Sequence, residues 1–119
     1  MPLQALAKGG TVGTVEFAEF ISQTKYEDLP ASAVAAIKSV IVDTLAVTVA
    51  GVAEPASEAL SDLLSKYGGA PISTVIGRPF KTDPASAALL NGTAAHALDY
   101  DDYCFAMSGH PSAVILPPI

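Results

Sequence analysis

The chain has 119 residues, a formal net charge of −6 and a hydrophobic content of 50%, which allows one domain at most. Its six Lys and Arg residues are scattered along the chain, which argues against a basic surface that follows nucleic-acid phosphates. The single cysteine excludes an internal disulfide and favours a reducing, cytoplasmic location.

The N-terminal residues 1–13 contain glycines and show no hydrophobic periodicity, so we expect a disordered tail there. They also lack the basic start and apolar core of a signal peptide. The best candidate for a membrane segment is Ala33 to Val52, but it contains Lys38 and Asp43. Each charge costs roughly 2.5–3.5 kcal/mol at the centre of a bilayer, and we therefore predict no membrane segment.

Two helices are predicted in the first half of the chain. A short one follows Thr14 as its N-cap, and a long one begins at Pro30 and ends at Gly51 as its C-cap. The long helix has apolar residues at three-and-four spacing and is expected to be central. Asp43 falls inside this apolar pattern, and we interpret it as a buried carboxylate that needs a partner.

A third helix is predicted from Pro55 to a stop at Gly68, with one apolar and one polar face. Residues 72–76 are mostly β-branched and predict a short extended segment, followed by a turn at Gly77. The predicted fold is mostly α-helical, an antiparallel packing of helices with this one extended segment. The polar face of the third helix is expected to point outward and comprises Ser57, Glu58, Ser61, Asp62, Ser65 and Lys66.

A fourth helix is predicted to start with Asp83 as N-cap and Pro84 at the first helical position. One face of it is mostly small, so a neighbouring helix or a substrate could approach its backbone closely. On this face His96 and Asp99 are three residues apart and are expected to meet, whereas Asp101 would point elsewhere. The face comprises Ala85, Ala88, Leu89, Gly92, His96 and Asp99.

The residues after this helix hold the densest carboxylate group and the second histidine. The stretch from Tyr103 to Gly109 has no helical pattern and should form a loop that returns His110 towards Asp99. A histidine beside a carboxylate is a common acid–base pair, because the carboxylate orients the ring. A purely structural interpretation is also open, in which the carboxylates cap a helix end and His96 is a core residue.

Two further interpretations lack catalysis. The first is a divalent-metal site formed by His96, Asp99, Asp101, Asp102 and His110, although their spacing is not a standard metal signature. The second is a self-associating helical module, because exposed apolar faces drive association.

The combined motif in the last third of the chain resembles the signature of the MmgE/PrpD family. Shorter matches precede it in the same order, so the resemblance runs from about Phe17 to the C-terminus. The matching stretches are Asn91–Asp102, Gly109–Ser112, Asp28–Pro30, Val42–Leu45 with Ala50–Gly51, and Thr74–Gly77.

The resemblance implies a homodimeric lyase or isomerase that uses no cofactor or metal. Its chemistry is proton transfer on a small di- or tricarboxylate, as in 2-methylcitrate dehydratase, cis-aconitate decarboxylase or iminodisuccinate epimerase. It places Asp99 and His110 at catalytic positions, and His96 and Tyr103 are predicted to contribute to substrate binding. Tyr103 stands where relatives often have Thr, which leaves the substrate open.

The chain ends in an apolar run after Ser112. By the resemblance, we expect residues 14–119 to be the N-terminal part of a longer helical domain, apparently truncated. We also expect this chain to be inactive alone, because six scattered cations are unsuited to holding a polyanionic substrate beside an acidic cluster.

Overall fold

The computed structural model describes residues 13–119, and the predicted tail at 1–13 lies outside them except for Gly13. The mostly helical fold, with helices packed against one another and one small antiparallel sheet, confirms the predicted class. The elements in chain order are α1 (Thr14–Gln23), a 3-10 turn (Tyr26–Asp28), α2 (Ala31–Gly51), α3 (Pro55–Tyr67), β1 (Ser73–Thr74), β2 (Lys81–Thr82), α4 (Pro84–His96) and α5 (Pro111–Ile115).

Within the described part of the chain, the residues up to Ala36 and residues Ile37–Ile119 form two compact units. In the first unit, the N-cap of α1 is Gly13 rather than the predicted Thr14. The carboxylate of Asp28 accepts a hydrogen bond of 3.0 Å from the backbone N–H of Lys25. This contact closes the 3-10 turn that precedes α2.

Helix α2 exposes most of its apolar side chains. Ile37, Ile41, Val42, Leu45 and Val49 are 38–67% exposed, and the buried residues of the helix are Thr44, Thr48 and Gly51. Asp43 is exposed, so its predicted burial is wrong: it lies on the open side of a helix that is apolar nearly all round. By length and composition alone, α2 could also cross a membrane, and the absence of a membrane segment stays a prediction.

The core of the second unit lies between α3, α4 and the β-hairpin. Ser57 and Ser61 of α3 are only 3% and 5% exposed, whereas Leu63 and Tyr67 are 51% and 78% exposed. The predicted outward position of Ser57 and Ser61 is therefore wrong, because the buried stripe runs over these small residues beside the inward Leu60 and Leu64. The other residues predicted to point outward are exposed as expected: Glu58, Asp62, Ser65 and Lys66. The core residues are Val75, Ala87 and Leu90, with Leu60, Leu64 and Phe80 packed against them.

The hairpin confirms the predicted extended segment and adds a partner for it. Strands β1 and β2 pair antiparallel, and Gly77 provides the turn with a φ of 71°, a conformation that only glycine adopts readily. The side-chain amide of Asn91 in α4 holds the hairpin: its Oδ1 accepts from the N–H of Ile76 at 2.9 Å, and its Nδ2 donates to the carbonyl of Thr74 at 3.2 Å.

Helix α4 begins as predicted. The backbone N–H groups of Ala85 and Ser86 each donate to Asp83 Oδ1 at 3.1 Å. The backbone N–H of Gly69 donates to Asp83 Oδ2 at 3.0 Å. Hydrogen bonds from the Ser86 side chain, and from the backbone N–H groups of Ser86 and Gly69, hold the pKa of the Asp83 carboxyl well below its usual range. One carboxylate thus caps α4 and ties it to the chain that follows α3.

Two glycines allow close approach to α4. A Cβ added to Gly51 would overlap the carbonyl oxygen of Ala94, and a Cβ added to Gly92 would lie 2.9 Å from the carbonyl oxygen of Ala113 in α5. The predicted close approach of a neighbouring element to the small face of α4 is therefore observed. Gly51 is the last residue of α2, and its importance is this contact rather than the capping role that was predicted.

Candidate active site

The end of α4 sets the position of the carboxylates. The helix ends at His96, and Asp99 takes a left-handed conformation with a φ of 55°. This turn breaks the helical register, and among the described residues no side-chain hydrogen bond or ion pair joins His96 to Asp99 as predicted; the backbone N–H of Asp99 donates to the carbonyl of His96 at 3.0 Å. Instead, His96 Nδ1 lies 3.0 and 3.2 Å from the two carboxylate oxygens of Asp101. The expectation that Asp101 points elsewhere is wrong, because its side chain is 0% exposed at the centre of the site.

The predicted loop returns the chain to His110. The N–H of Cys104 donates to the carbonyl of Gly109 at 2.9 Å, and this isolated antiparallel bridge closes the loop. Ser108 within it has a φ of 51°. His110 Nε2 then lies 3.5 Å from Asp99 Oδ1, so the structure places these two predicted residues side by side.

His110 is flanked by carboxylates and rings on several sides. Its Nδ1 atom is buried and lies 3.3 Å from Asp101 Oδ2 without hydrogen-bond geometry. The His96 ring is 4.5 Å away between centroids, and the Tyr103 ring contacts it edge-on at 5.2 Å. Asp99 is 78% exposed while His110 is 24% exposed, so solvent reaches the pair from the Asp99 side.

Asp102 has a different role from the other carboxylates. Its Oδ1 accepts from the backbone N–H of Ser112 at 3.1 Å, and its Oδ2 accepts from the Ser112 hydroxyl at 2.7 Å. The capping interpretation therefore applies to Asp102, which holds the start of α5. Asp99 and Asp101 contact imidazoles instead.

Both histidines line an open cavity of about 720 Å³ between α4 and α5. Four residues of the predicted small face of α4 form part of its wall: Ala88, Leu89, Gly92 and His96. Tyr103 contacts the His110 ring but is not part of the cavity wall formed by the described residues. Besides His96 and His110, the wall comprises Ala56, Ala88, Leu89, Gly92, Thr93, Ala97, Ala113, Val114 and Pro118.

Four of the five predicted metal-ligand candidates come together. His96, Asp99, Asp101 and His110 each offer one atom, and these atoms lie within 4.8 Å of one another. A mixed set of imidazole nitrogens and carboxylate oxygens suits a zinc-type ion. Asp102 is excluded from the set by its contacts with Ser112. In the present arrangement the imidazoles contact the carboxylates, so an ion would have to replace those contacts.

Few cationic side chains lie near the site among the described residues. Arg78 donates from Nη2 to the carbonyl of Val52 at 2.7 Å, so it fixes the chain after α2. Within residues 13–119, the ion pairs recorded at the site involve His96 and His110 only.

The sequence matches the MmgE/PrpD N-terminal domain over residues 15–119. The chain belongs to the MmgE/PrpD family. It is 33% identical to the cis-aconitate decarboxylase of Mus musculus over 105 residues, which are 87% of this chain and 21% of that protein. It is 30% identical to a cis-aconitate decarboxylase-like protein of Aspergillus oryzae over 106 residues, 89% of this chain and 22% of that protein. The chain thus spans about a fifth of the length of these curated relatives.

Sequence reasoning missed one member of the site, Asp101, as a partner of the histidines. It included Asp101 only as one of five metal-ligand types. The signal that was available was the density of carboxylates after His96, because three of them fall within four residues. Which carboxylate faces the imidazoles depends on the turn at Asp99, and no local sequence pattern predicted that turn.

Proposed function

We propose that this chain contributes the proton-transfer part of a lyase site for a small di- or tricarboxylate, of the cis-aconitate decarboxylase or 2-methylcitrate dehydratase type. His110 is the proton donor or acceptor, and Asp99 is its partner or orients the substrate. The observation that carries the proposal is that His110, which lines a cavity of small-molecule size, has its Nε2 atom 3.5 Å from an exposed Asp99. Family membership supports the reaction class.

The chemistry needs one group that can both accept and donate a proton. In decarboxylation the bond to the departing carboxyl carbon breaks, CO2 leaves, and the carbon that keeps the electron pair takes up a proton. In dehydration a proton is removed from the carbon next to a carboxylate, and the hydroxyl on the neighbouring carbon takes up a proton and leaves as water. In epimerisation the proton is removed and one is returned to the opposite face of the same carbon. The Nε2 atom of His110 could serve either step, because an imidazole nitrogen can accept a proton as a base and return it as an acid. Asp99 is free to reorient, since it is exposed and has no recorded hydrogen bond to His110.

The acidity of the site limits what this chain does alone. Asp99, Asp101 and Asp102 would repel a polycarboxylate, and a field of one sign strongly disfavours a ligand of the same sign. We propose that cations from polypeptide corresponding to the remaining four fifths of the relatives complete the site. On this proposal the isolated 119-residue chain does not turn over such substrates.

The experiment that tests this proposal uses a chimeric enzyme. This chain replaces the matching stretch of the mouse cis-aconitate decarboxylase, and both the chimera and the isolated chain are assayed with cis-aconitate and 2-methylcitrate. We expect turnover by the chimera and none by the isolated chain. His110→Ala should lower the chimera's kcat by roughly 10²–10⁴-fold, the usual contribution of a positioned acid–base group. Asp99→Asn should also lower it, whereas Asp62→Asn, an exposed carboxylate of α3, is the matched control and should not.

Three results would count against the proposal. Turnover by the isolated chain would show that no further cations are needed. A chimera that keeps its activity with His110→Ala would remove His110 from the chemistry. A chimera that is inactive, although its circular dichroism and gel-filtration volume match the parent enzyme, would show that this site does not support the reaction.

A divalent-metal site is the second candidate, favoured by the four ligand atoms within 4.8 Å of one another. Titration calorimetry with Zn²⁺ separates it from the first. A metal site predicts stoichiometric binding that His96→Ala abolishes and Asp62→Asn leaves intact. The enzyme proposal expects no stoichiometric ion in protein purified without chelator.

We also propose that the chain self-associates, as the homodimer expected from the resemblance would. The supporting observation is the exposed apolar surface of α2, where Val42 and Val49 are 67% and 62% exposed. Light scattering after gel filtration should give a dimer, and Val42→Lys should shift it towards monomer. A wild-type chain that stays monomeric at high concentration would contradict this.

A further inference from the structure

We infer that Asp101 is a positioning residue for both histidines: one buried carboxylate faces the Nδ1 atoms of His96 and His110, fixes their tautomers and leaves both Nε2 atoms for proton exchange. The contact with His96 is a hydrogen bond of 3.0 Å, and the contact with His110 is 3.3 Å. That Asp101 supports proton transfer rests on the proposed function. That it fixes the tautomers of the two rings does not.

Burial of Asp101 makes imidazole donors necessary. Its side chain is 0% exposed, and a carboxylate removed from water is unfavourable unless donors satisfy it. Within residues 13–119, the contacts recorded for its oxygens are those two ring nitrogens. A neutral imidazole has a single N–H, so donation to Asp101 places the proton on Nδ1 and leaves Nε2 as the acceptor.

His110 depends on the same carboxylate. Its Nδ1 atom is buried without a hydrogen-bond partner. The acceptor beside it is Asp101 Oδ2, which lies 3.3 Å away. A small rotation of the ring would complete that bond. Asp99 faces the other nitrogen, Nε2, at 3.5 Å, so the two carboxylates act on different atoms of one ring.

The geometry of the turn explains why a single residue can serve both rings. The left-handed conformation of Asp99 sends its own side chain to solvent and turns the next carboxylate, Asp101, inward. The two rings lie 4.5 Å apart between centroids, close enough for the two oxygens of one carboxylate to reach both. Two preoriented imidazoles then face one cavity.

The test is long-range ¹H–¹⁵N NMR of the histidine rings in the 119-residue chain, at a pH where both imidazoles are neutral. We expect both rings to be in the Nδ1–H form. Asp101→Asn has one acceptor oxygen and one donor NH2 group, so at least one ring should change to the Nε2–H form. Asp102→Asn, the matched control, keeps an acceptor for Ser112 and should leave both tautomers unchanged, as should Asp99→Asn.

The wild-type spectrum alone can overturn the inference, even if Asp101→Asn does not fold. Either ring in the Nε2–H form, or both rings with the signals of an unfolded chain, would do so. In the active chimera, Asp101→Asn should lower kcat roughly 10–100-fold, as loss of a group that orients a functional imidazole usually does, with little change in KM. An inactive chimera with Nδ1–H rings would refute the proposed function and leave the positioning role intact. If the chimera is active and Asp101→Asn leaves its kcat unchanged, the positioning role is refuted.

Discussion

Replacing Gly51 by Ala brings two opposite effects together at the contact between α2 and α4. Ala is favoured over Gly inside a helix by about 0.8–1.0 kcal/mol, and a helix end gains at most this much. The new Cβ, however, would overlap the carbonyl oxygen of Ala94 and lie 3.1 Å from its carbonyl carbon and 3.2 Å from the Ala97 Cβ. Overpacking of this kind costs about 1–3 kcal/mol.

The steric term should dominate, because the atoms in the way belong to the backbone of α4 and cannot rotate aside. We expect a net loss of roughly 1–2 kcal/mol in the free energy of unfolding, taking the upper half of the overpacking range less the propensity gain. That loss corresponds to a fall in Tm of roughly 4–8 °C for a chain of this size. Urea unfolding followed by circular dichroism measures the first quantity, and a thermal melt measures the second.

Gly109→Ala is the matched control. The nearest atom to its added Cβ is 3.9 Å away, and its φ lies outside the left-handed region, so stability should change by less than about 0.5 kcal/mol. If Gly51→Ala is as stable as the wild type or more stable, helix propensity outweighs the contact and the close approach of α2 to α4 is wrong.

Two further predictions concern α4. Asn91→Ala removes both hydrogen bonds of a buried amide to the hairpin and should lower the free energy of unfolding by about 1–3 kcal/mol, whereas Thr93→Ala, whose hydroxyl bonds only within the helix, should not lower it. An Asn91→Ala protein as stable as the wild type would contradict the buried bridge. Asp83→Ala should destabilise the chain most near neutral pH. The lowered pKa of the Asp83 carboxyl means that its stabilisation is complete above its ordinary value of 3.8 and is lost as the pH falls towards its folded-state value. The difference in the free energy of unfolding between the wild type and Asp83→Ala, measured by urea unfolding, should therefore shrink as the pH is lowered. A difference that does not depend on pH would refute this role of Asp83.

Local signals determined the beginnings and ends of several elements from sequence alone. Asp83 and Pro84 predicted the start of α4, and Pro55 and Gly68 bounded α3, because capping involves residues only a few positions apart. The composition of the site was equally visible, since both histidines and three carboxylates are close in sequence. The approach of His110 to Asp99 was also predicted, because a loop joins the two residues, but the bridge between Cys104 and Gly109 that closes this loop is visible only in the structure.

Only the tertiary structure decided which groups face inward. Ser57 and Ser61 of α3 are buried and Leu63 is exposed, because a periodic pattern gives the width of an apolar face but not its rotation against its neighbours. Asp101 replaced Asp99 as the partner of His96, because one left-handed residue after α4 changes the direction of every side chain that follows. Such a turn is stabilised by the burial of Asp101 between two rings from opposite ends of the motif, and contacts of that kind exist only once the chain has folded.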